Sequence, residues 1–545
     1  MKLGKYSCLI TATVILLLLP FSLSATQNPL TIAESSNYLK TSLYADVICF
    51  IQSLQKQSAL LRVETLCTTT EGREIPLLVL GDPVPSSPKD MKWDNRAAIY
   101  IQANIHAGEV EGKEATLMLA RDILLNGYSD FLKDFVILIV PILNADGNEK
   151  LGKNRRDNGP ELAGIRYNGQ NLDLNRDGIK LESPEIQGLV QNVLNRWDPV
   201  LLVDCHTTNG DYHEEPVTYG WPVNPNGDRA IVQYMCDAMM PSVDALLQKK
   251  YKTLSIPYGD FVDWTDPGKG WQSSGPEPHY ITNYVGLRNR LSILLENYAY
   301  ADFKTRVWGN YYFLLSLLEY CQAHKKEILE LVRNADVNTI QRGLRMSSAD
   351  SFAVEFELQP LTRNVTILGY EMESYQDQNG RIRPKKTERK RTYTVPLLYD
   401  WVAKRSVRLP FGYLISVPDT RVLEVLIRHG ILVEQLTEPA ILQVESFKVI
   451  GLQAVERPYQ GHYTNSVKGE YSVTEKTFPI GTYFIPMAQP LGTLAASLLE
   501  PESDDGLLVW NFFDRYLVAQ WGREPQTYPV YKLLKPATLA KQTVK

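Results

Sequence analysis

The pattern of hydrophobic and polar positions divides the chain into two regions. In the first, helical spacing of apolar residues predicts helices such as residues 41–57 and Glu111–Leu125. Continuous apolar runs between the helices, among them Ala97–Ala103, residues 135–143 and residues 200–204, predict buried strands. Strands that alternate with helices are typical of an α/β sheet flanked by helices, in which functional groups follow the strand ends.

The second region is rich in strand patterns. The first region ends with a long amphipathic helix that is predicted at residues 311–332. From about Ser351, apolar and polar residues alternate as they do in strands. Asn379-Gly380 is a hairpin signal. The basic run at residues 381–391 is interpreted as a solvated hairpin tip and not as a contact for an anionic polymer.

Chain length also requires more than one domain. A single hydrophobic core rarely grows beyond roughly 250–300 residues, and this chain has 545. We therefore predict an α/β domain with a mixed central sheet at residues 35–335. A β-rich C-terminal domain is predicted at residues 345–545.

The N-terminus has the pattern of a secretory signal peptide. Lys2 and Lys5 precede an uncharged apolar run at residues 8–19, and small residues follow Pro20. The run is shorter than the ~20 residues that a membrane span requires. Residues 1–25 are therefore predicted to be a cleaved signal peptide, which implies a secreted or periplasmic protein without a stable membrane anchor.

Composition narrows the classes of partner. The chain carries 57 Lys plus Arg against 62 Asp plus Glu, so its net charge of −5 gives no basis for binding nucleic acid. Hydrophobic residues make up 44% and charged residues 22%, which is ordinary for a folded protein. Beyond the predicted signal peptide there are five cysteines, so at least one is unpaired.

A possible metal site follows the predicted strand Ala97–Ala103. His106 and Glu109 are three residues apart in His106-Ala107-Gly108-Glu109, and Gly108 permits a tight turn that directs both side chains to one ion. His206, after the strand at residues 200–204, is a third ligand. Catalytic zinc usually has three protein ligands and one open position. A single histidine at a strand end is more often an ordinary hydrogen-bonded residue than a metal ligand, so the argument depends on the three residues together.

Three further segments supply charged groups that complement a metal. Asn175 and Arg176 combine an amide with a guanidinium, which suits capture of a carboxylate. Arg155 and Arg156 provide further guanidinium groups upstream. Glu296 ends the apolar strand that begins at Leu291, where burial would raise its pKa toward that of a general base.

In this order the segments resemble those of the zinc carboxypeptidase family, the carboxypeptidase A-like metallopeptidases, and more closely its bacterial secreted members with a C-terminal β domain. The matching segments are His106-Ala107-Gly108-Glu109, Asn144-Ala145-Asp146-Gly147, Asp173-Leu174-Asn175-Arg176, Asp204-Cys205-His206-Thr207 and Leu295-Glu296. The resemblance implies that His106, Glu109 and His206 bind Zn and that Glu296 is the general base. It further implies that Asn175 and Arg176 hold the terminal carboxylate of a peptide or protein substrate.

Some assignments stay open in the sequence. The resemblance implies an arginine that stabilises the oxyanion, which is Arg156 with Arg155 as the alternate, and a tyrosine that covers the substrate, which is Tyr280 or Tyr284. The expected activity is hydrolysis of the C-terminal peptide bond. A zinc-dependent deacylase or cell-wall peptide amidase on the same fold is the alternative, and a binding module with a vestigial metal site is a third hypothesis.

Overall fold

The computed structural model describes residues 28–544 except residues 94, 157, 346, 348 and 518–525. In the first part of the chain the strands are β1 (Leu61–Thr68), β2 (Glu74–Leu80), β3 (Ala97–Ala103), β4 (Phe135–Val140), β5 (Gly152–Lys153), β6 (Leu162–Ala163), β7 (Leu201–Thr208), β8 (Val217–Gly220), β9 (Ser255–Pro257), β10 (Asp260–Phe261), β11 (Trp271–Gln272) and β12 (Leu291–Tyr298). The helices are α1 (Ile32–Ser35), α2 (Tyr44–Gln57), α3 (Glu111–Leu125), α4 (Ala145–Glu149), α5 (Pro184–Gly188), α6 (Arg229–Tyr234), α7 (Met240–Tyr251), α8 (Ile281–Leu287), α9 (Phe303–Ala323) and α10 (Lys325–Arg345). The predicted signal peptide lies outside the described residues.

An eight-stranded mixed sheet forms the centre of this part, in the order β1-β2-β4-β3-β7-β12-β8-β9. The neighbours β4, β3, β7 and β12 are parallel, so their carboxyl ends meet at one edge. Strands β3 and β4 are buried along their whole length, which explains why they are continuous apolar runs. The predicted α/β class with a mixed sheet is confirmed.

The predicted long helix at residues 311–332 is instead parts of two helices. Helix α9 begins after Asp302, whose side chain accepts a hydrogen bond from the Thr305 amide, and it ends at Ala323, which His324 follows as the C-cap. Helix α10 follows at once. Neither glycine nor proline marks the break between the two helices. The hydrophobic periodicity continues across it, so the sequence pattern alone predicts a single helix.

The C-terminal part is rich in strands, as predicted. Its elements are β13 (Ser351–Gln376), β14 (Ile382–Arg408), β15 (Gly412–Ile415), α11 (Thr420–Arg428), β16 (Glu434–Leu436), β17 (Ala440–Ala454), β18 (Asn465–Phe478), β19 (Tyr483–Pro486), α12 (Gly492–Leu499), α13 (Asp514–Leu517), β20 (Val530–Leu533) and β21 (Lys541–Thr543). Seven of these strands form a sheet in the order β18-β17-β20-β15-β19-β16-β21.

The two parts of the chain are joined by strand pairing and by a shared core. The β13–β14 hairpin turns at Asn379-Gly380, and β14 pairs with β11 of the first part. One hydrophobic cluster of buried residues runs from Ala33 to Val530. The domain boundaries at residues 335 and 345 stay a prediction, because this packing is continuous across them.

The described residues contain neither a helix that could span a membrane nor a disulfide. None of the helices there is both long and apolar enough to cross a membrane. The five cysteines beyond the signal peptide form no disulfide with one another; they are Cys49, Cys67, Cys205, Cys236 and Cys321.

Candidate metal centre and active-site cavity

Three side chains converge at the carboxyl edge of the central sheet. His106 and Glu109 lie in the loop between β3 and α3, where the Glu109 amide donates to the His106 carbonyl over 2.9 Å. A Cβ atom on Gly108 would lie 2.9 Å from the Gly164 carbonyl oxygen, so only glycine fits this turn easily. His206 belongs to β7.

The three side chains have the geometry of a metal site. One ligand atom from each of His106, Glu109 and His206 lies within 4.8 Å of the others. The Nδ1 atoms of His106 and His206 lie 3.0 Å and 2.9 Å from the two oxygens of Glu109. All three residues are buried. Two imidazoles and a carboxylate beside a cavity fit the ligand preference of catalytic zinc.

Carboxylates support the far side of both imidazoles. Asp173 Oδ1 lies 2.9 Å from His106 Nε2, and Asp204 Oδ2 lies 2.9 Å from His206 Nε2. Such partners fix the ring orientation and raise the basicity of a metal-binding histidine. The Asp173–His106 contact has hydrogen-bond geometry and holds His106 Nδ1 toward Glu109, whereas the Asp204–His206 contact is an ion pair without that geometry.

Glu296 is placed beside the triad by strand register. It lies on β12 directly opposite His206 of the parallel strand β7. Burial is the largest cause that raises the pKa of Glu296 from 4.5 to about 8, and its Oε2 atom has no hydrogen-bond partner among the described residues. The carboxyl group lines the cavity, where such a pKa suits proton transfer.

The two neighbouring arginines left open by the sequence have different surroundings. Arg156 lines the cavity and donates from Nη2 to Glu109 Oε1 over 2.6 Å and to the Thr207 carbonyl over 3.1 Å. Arg155 is exposed and lines a neighbouring hollow. Arg166 also lines the cavity, with Nε donating to Asp173 over 2.8 Å. Although burial opposes it, His106 and Arg156 hold the pKa of Glu109 well below its usual range.

Asn175 and Arg176 reach the same cavity from a single helical turn, Leu174–Arg176. The Asn175 Oδ1 atom accepts from the Ile281 amide over 3.0 Å, so the Nδ2 group remains as a donor. The Arg176 guanidinium lies 4.4 Å from the centre of the Tyr280 ring. A carboxylate bound here would meet a flat cation and an amide donor.

The two candidate tyrosines are also separated by the structure. Tyr280 lines the cavity beside Arg176. Tyr284 is fully buried, and its hydroxyl contacts His429 Nδ1 at 2.8 Å and Arg288 Nη1 at 3.1 Å. Tyr284 is thus a packing residue in this geometry and does not border the cavity.

One wall of the cavity is uncharged. Leu294 pairs with Gly220 between β12 and β8, and the Trp221 ring lies 4.3 Å from the ring of Tyr399. All four residues line the cavity, whose volume is about 240 Å³. Tyr399 comes from β14, so the C-terminal part contributes directly to this wall.

Several of these residues had no assigned role in the sequence. Asp173 and Asp204 each begin one of the segments that resemble the zinc carboxypeptidase family. Their place in those segments is the sequence signal that could have indicated contacts with the histidines. Arg166 follows Gly164-Ile165 and belongs to no recognisable motif, so no sequence pattern singles it out. Trp221 and Tyr399 carry no local signal, because they meet only when β14 packs against the first part of the chain.

Part of the chain matches the model of a known protein family. The family model described as zinc carboxypeptidase matches residues 47–208, which include His106, Glu109 and His206. No curated protein matches the chain.

Solved structures similar to the chain include two carboxypeptidases. A metallo-carboxypeptidase from Burkholderia cenocepacia is 15% identical at a TM-score of 0.39, covering 51% of this chain and 69% of that one. The carboxypeptidase A from Helicoverpa armigera is 16% identical at a TM-score of 0.39, covering 52% of this chain and 74% of that one. From the family match over residues 47–208 and the buried His-Glu-His group, the chain is a zinc-dependent hydrolase in which this region is similar to the zinc carboxypeptidase family.

Proposed function

We propose that the protein is a secreted metallocarboxypeptidase that removes the C-terminal residue of peptides. The observation that carries this proposal is that Asn175 and Arg176 line the same cavity as the metal ligands and Glu296. A metal-assisted hydrolase needs no carboxylate receptor for its chemistry alone. A cation and an amide donor at that place select substrates that end in a free carboxylate.

The chemistry is divided among a few side chains. Zinc held by His106, Glu109 and His206 would lower the pKa of a water molecule and polarise the scissile carbonyl. Glu296 accepts the proton of the attacking water and returns it to the leaving amine. Arg156 stabilises the negative charge that develops on the carbonyl oxygen. Burial raises the pKa of Glu296, so its carboxyl group can hold the proton between the two transfers.

The uncharged wall supports a preference for neutral C-terminal side chains. Leu294 lies two residues before Glu296 on β12, so both side chains point to the same face of the sheet. Trp221 and Tyr399 extend this surface with aromatic rings. A Lys, Arg, Asp or Glu side chain would be desolvated there without a charged partner, which is costly.

Secretion is part of the proposal and rests on the sequence pattern of residues 1–25. N-terminal sequencing of the protein from its native host tests it. A mature chain that begins just after Ser24 or Ala25 is expected, whereas an intact Met1 would contradict secretion by this signal.

Paired peptides test the carboxypeptidase activity. An N-acylated tetrapeptide that ends in Phe is compared with the same peptide as its C-terminal amide. We expect release of free Phe from the first and little cleavage of the second, because the amide lacks the carboxylate. Equal cleavage of both would contradict the proposal and favour the deacylase or amidase alternative. Matched peptides that end in Leu, Lys and Asp test the preference for neutral residues.

A further inference from the structure

The carboxylate-binding turn is held by residues from the far end of the chain. The hairpin of β17 and β18 extends to a tip at residues 455–464, which lies against residues 173–182. At this tip Tyr459 and His462 exchange two backbone hydrogen bonds of 2.8 Å and 3.0 Å. Gln460 and Gly461 between them have φ values of 52° and 81°. Two such residues in succession make a tight two-residue turn that presents its side chains firmly.

Three side chains of the tip contact the segment that contains Arg176. The Tyr459 hydroxyl accepts from Arg176 Nε over 2.8 Å, and Gln460 Oε1 accepts from the Asp173 amide over 2.8 Å. His462 Nε2 lies 2.8 Å from Glu182 Oε1. The contacts lie on both sides of the turn Leu174–Arg176, so they fix its position relative to the hairpin.

The contact with Tyr459 determines which edge of Arg176 faces a ligand. Arg176 Nε is engaged by Tyr459, and Nη1 donates to the Asn175 carbonyl over 2.8 Å. Nη2 has no acceptor among the described residues, and Nη1 keeps a second proton. The edge formed by Nη1 and Nη2 is therefore the one that can make two parallel bonds with a carboxylate.

Packing accounts for the Tyr459 ring but not for its hydroxyl. The ring stacks near Trp510, with ring centres 6.1 Å apart and an interplanar angle of 26°. Trp510 is buried, and its Nε1 donates to Asp505 over 2.8 Å. Tyr459 itself is 41% exposed, so a phenylalanine could keep the ring contact. The hydroxyl is explained by the bond with Arg176.

We propose that Tyr459 is a positioning residue for Arg176, and that the C-terminal β region is thereby part of the substrate-binding machinery. This inference rests on the proposed function, in which Arg176 holds the substrate carboxylate. Tyr459 orients the guanidinium plane against the ring of Tyr280 and leaves the Nη1–Nη2 edge for the substrate. The hairpin tip thus places a binding group and does not merely cover the catalytic domain.

The variant Tyr459→Phe tests the inference, because it keeps the ring and removes only the acceptor. With the peptide that ends in free Phe, we expect KM to rise about tenfold while kcat changes less than threefold. Binding of the carboxylate is weakened in the ground state and the transition state alike, which is why KM responds. Slow cleavage of the amide peptide is expected to stay unchanged.

Tyr463→Phe is the matched control. Tyr463 lies four residues further along the same tip, is 53% exposed, and its hydroxyl has no hydrogen bond among the described residues. Its variant is expected to keep wild-type KM and kcat. Thermal unfolding of both variants is expected to match the wild type, which separates positioning from loss of folding.

A double-mutant cycle with Arg176→Lys then asks whether Tyr459 acts through Arg176. We expect the double variant to be no worse than Arg176→Lys alone, because residues that act through one contact are not additive. Additive losses, or an unchanged KM in Tyr459→Phe, would overturn this inference while the carboxypeptidase proposal stands. Equal cleavage of free and amidated peptides by the wild type would overturn both.

Discussion

The metal centre and the carboxylate-binding turn line one cavity but are built in different ways. His206 and Glu296 are neighbours because parallel strands β7 and β12 pair in register. The turn at Leu174–Arg176 is held instead by Gln460 and Tyr459, which lie 287 and 283 residues from their partners. Strand pairing thus places His206 beside Glu296, whereas packing of distant segments places Arg176, the residue proposed to bind the substrate carboxylate.

Asp173 is the residue at which the two regions meet. Its side chain supports His106, while its backbone amide is held by Gln460. Arg166 and Arg176 also approach its carboxylate, at 2.8 Å and 4.0 Å. We therefore expect changes at the metal centre to affect cleavage of all substrates, and changes at the turn to affect mainly substrates with a free carboxylate.

The largest effect is expected from His206→Ala, which removes one of three metal ligands. Zinc content should fall well below one per chain, and hydrolysis of every peptide should fall to background. Metal analysis of the dialysed protein measures the first effect. His324→Ala is the control, because His324 is exposed on the protein surface. Full zinc occupancy in His206→Ala would show that the ligand set is wrong.

Glu296→Gln is expected to have the next largest effect. The amide has nearly the same size but cannot accept a proton, so kcat should fall roughly 10²- to 10⁴-fold. Zinc content and KM should change little, since Glu296 is not in the metal-ligand group. Steady-state kinetics with the free-Phe peptide make the measurement. A kcat within threefold of the wild type would remove Glu296 from the mechanism.

Arg176→Lys separates the two regions most directly. Lysine cannot make two parallel hydrogen bonds from one planar group, so about 1.5–3 kcal/mol of binding should be lost. For the free-Phe peptide this corresponds to a kcat/KM lower by about 10- to 150-fold. Zinc content should be unchanged. If kcat/KM fell as much for the amide peptide as for the peptide with a free carboxylate, Arg176 would not bind that carboxylate.

Asp173→Asn tests the residue that joins the two regions. Loss of the carboxylate beside His106 should weaken zinc binding roughly 10- to 100-fold. Competition with a chelator of known affinity measures this change. Asp177→Asn offers a nearby comparison, because Asp177 bonds with Ser183 and not with a metal ligand. Equal zinc affinity in wild type and Asp173→Asn would contradict a supporting role.

The smallest effect concerns stability and not catalysis. Burial raises the pKa of Glu185 from 4.5 to about 7, and its carboxyl group accepts a hydrogen bond from the side chain of Asn168. The folded state then holds this proton more tightly than the unfolded state, so the contribution to stability falls as pH rises from about 4.5 through 7. Glu185→Gln should keep activity and lose this part of the pH dependence.

Urea unfolding at several pH values measures that contribution. The Glu185→Gln variant and the wild type should unfold at similar urea concentrations near pH 4.5, whereas the variant should be more stable above pH 8. Exposed Glu161 is the control, and Glu161→Gln should follow the wild type throughout. A pH profile for Glu185→Gln identical to that of the wild type would contradict the shifted pKa.

The residues of the metal centre could be predicted from the sequence more fully than the other residues that line the cavity. His106 and Glu109 are close in the chain, and His206 and Glu296 follow apolar strands. The order of these segments, which resembles that of the zinc carboxypeptidase family, was needed to group the four residues. Spacing alone did not separate Arg155 from Arg156 or Tyr280 from Tyr284. Those choices depend on which side chain faces the cavity, which is set by burial and by contacts from other elements.

By itself the sequence determined the α/β class, the strand-rich C-terminal part and the group of residues at the carboxyl edge of the sheet. These features follow from periodicity and from residue order, because both act over short stretches of chain. Tertiary structure alone decided that Tyr399 lines the cavity and that Tyr459 and Gln460 hold the turn at Arg176. Contacts between residues more than two hundred positions apart depend on how whole sheets pack, and no local pattern carries that information.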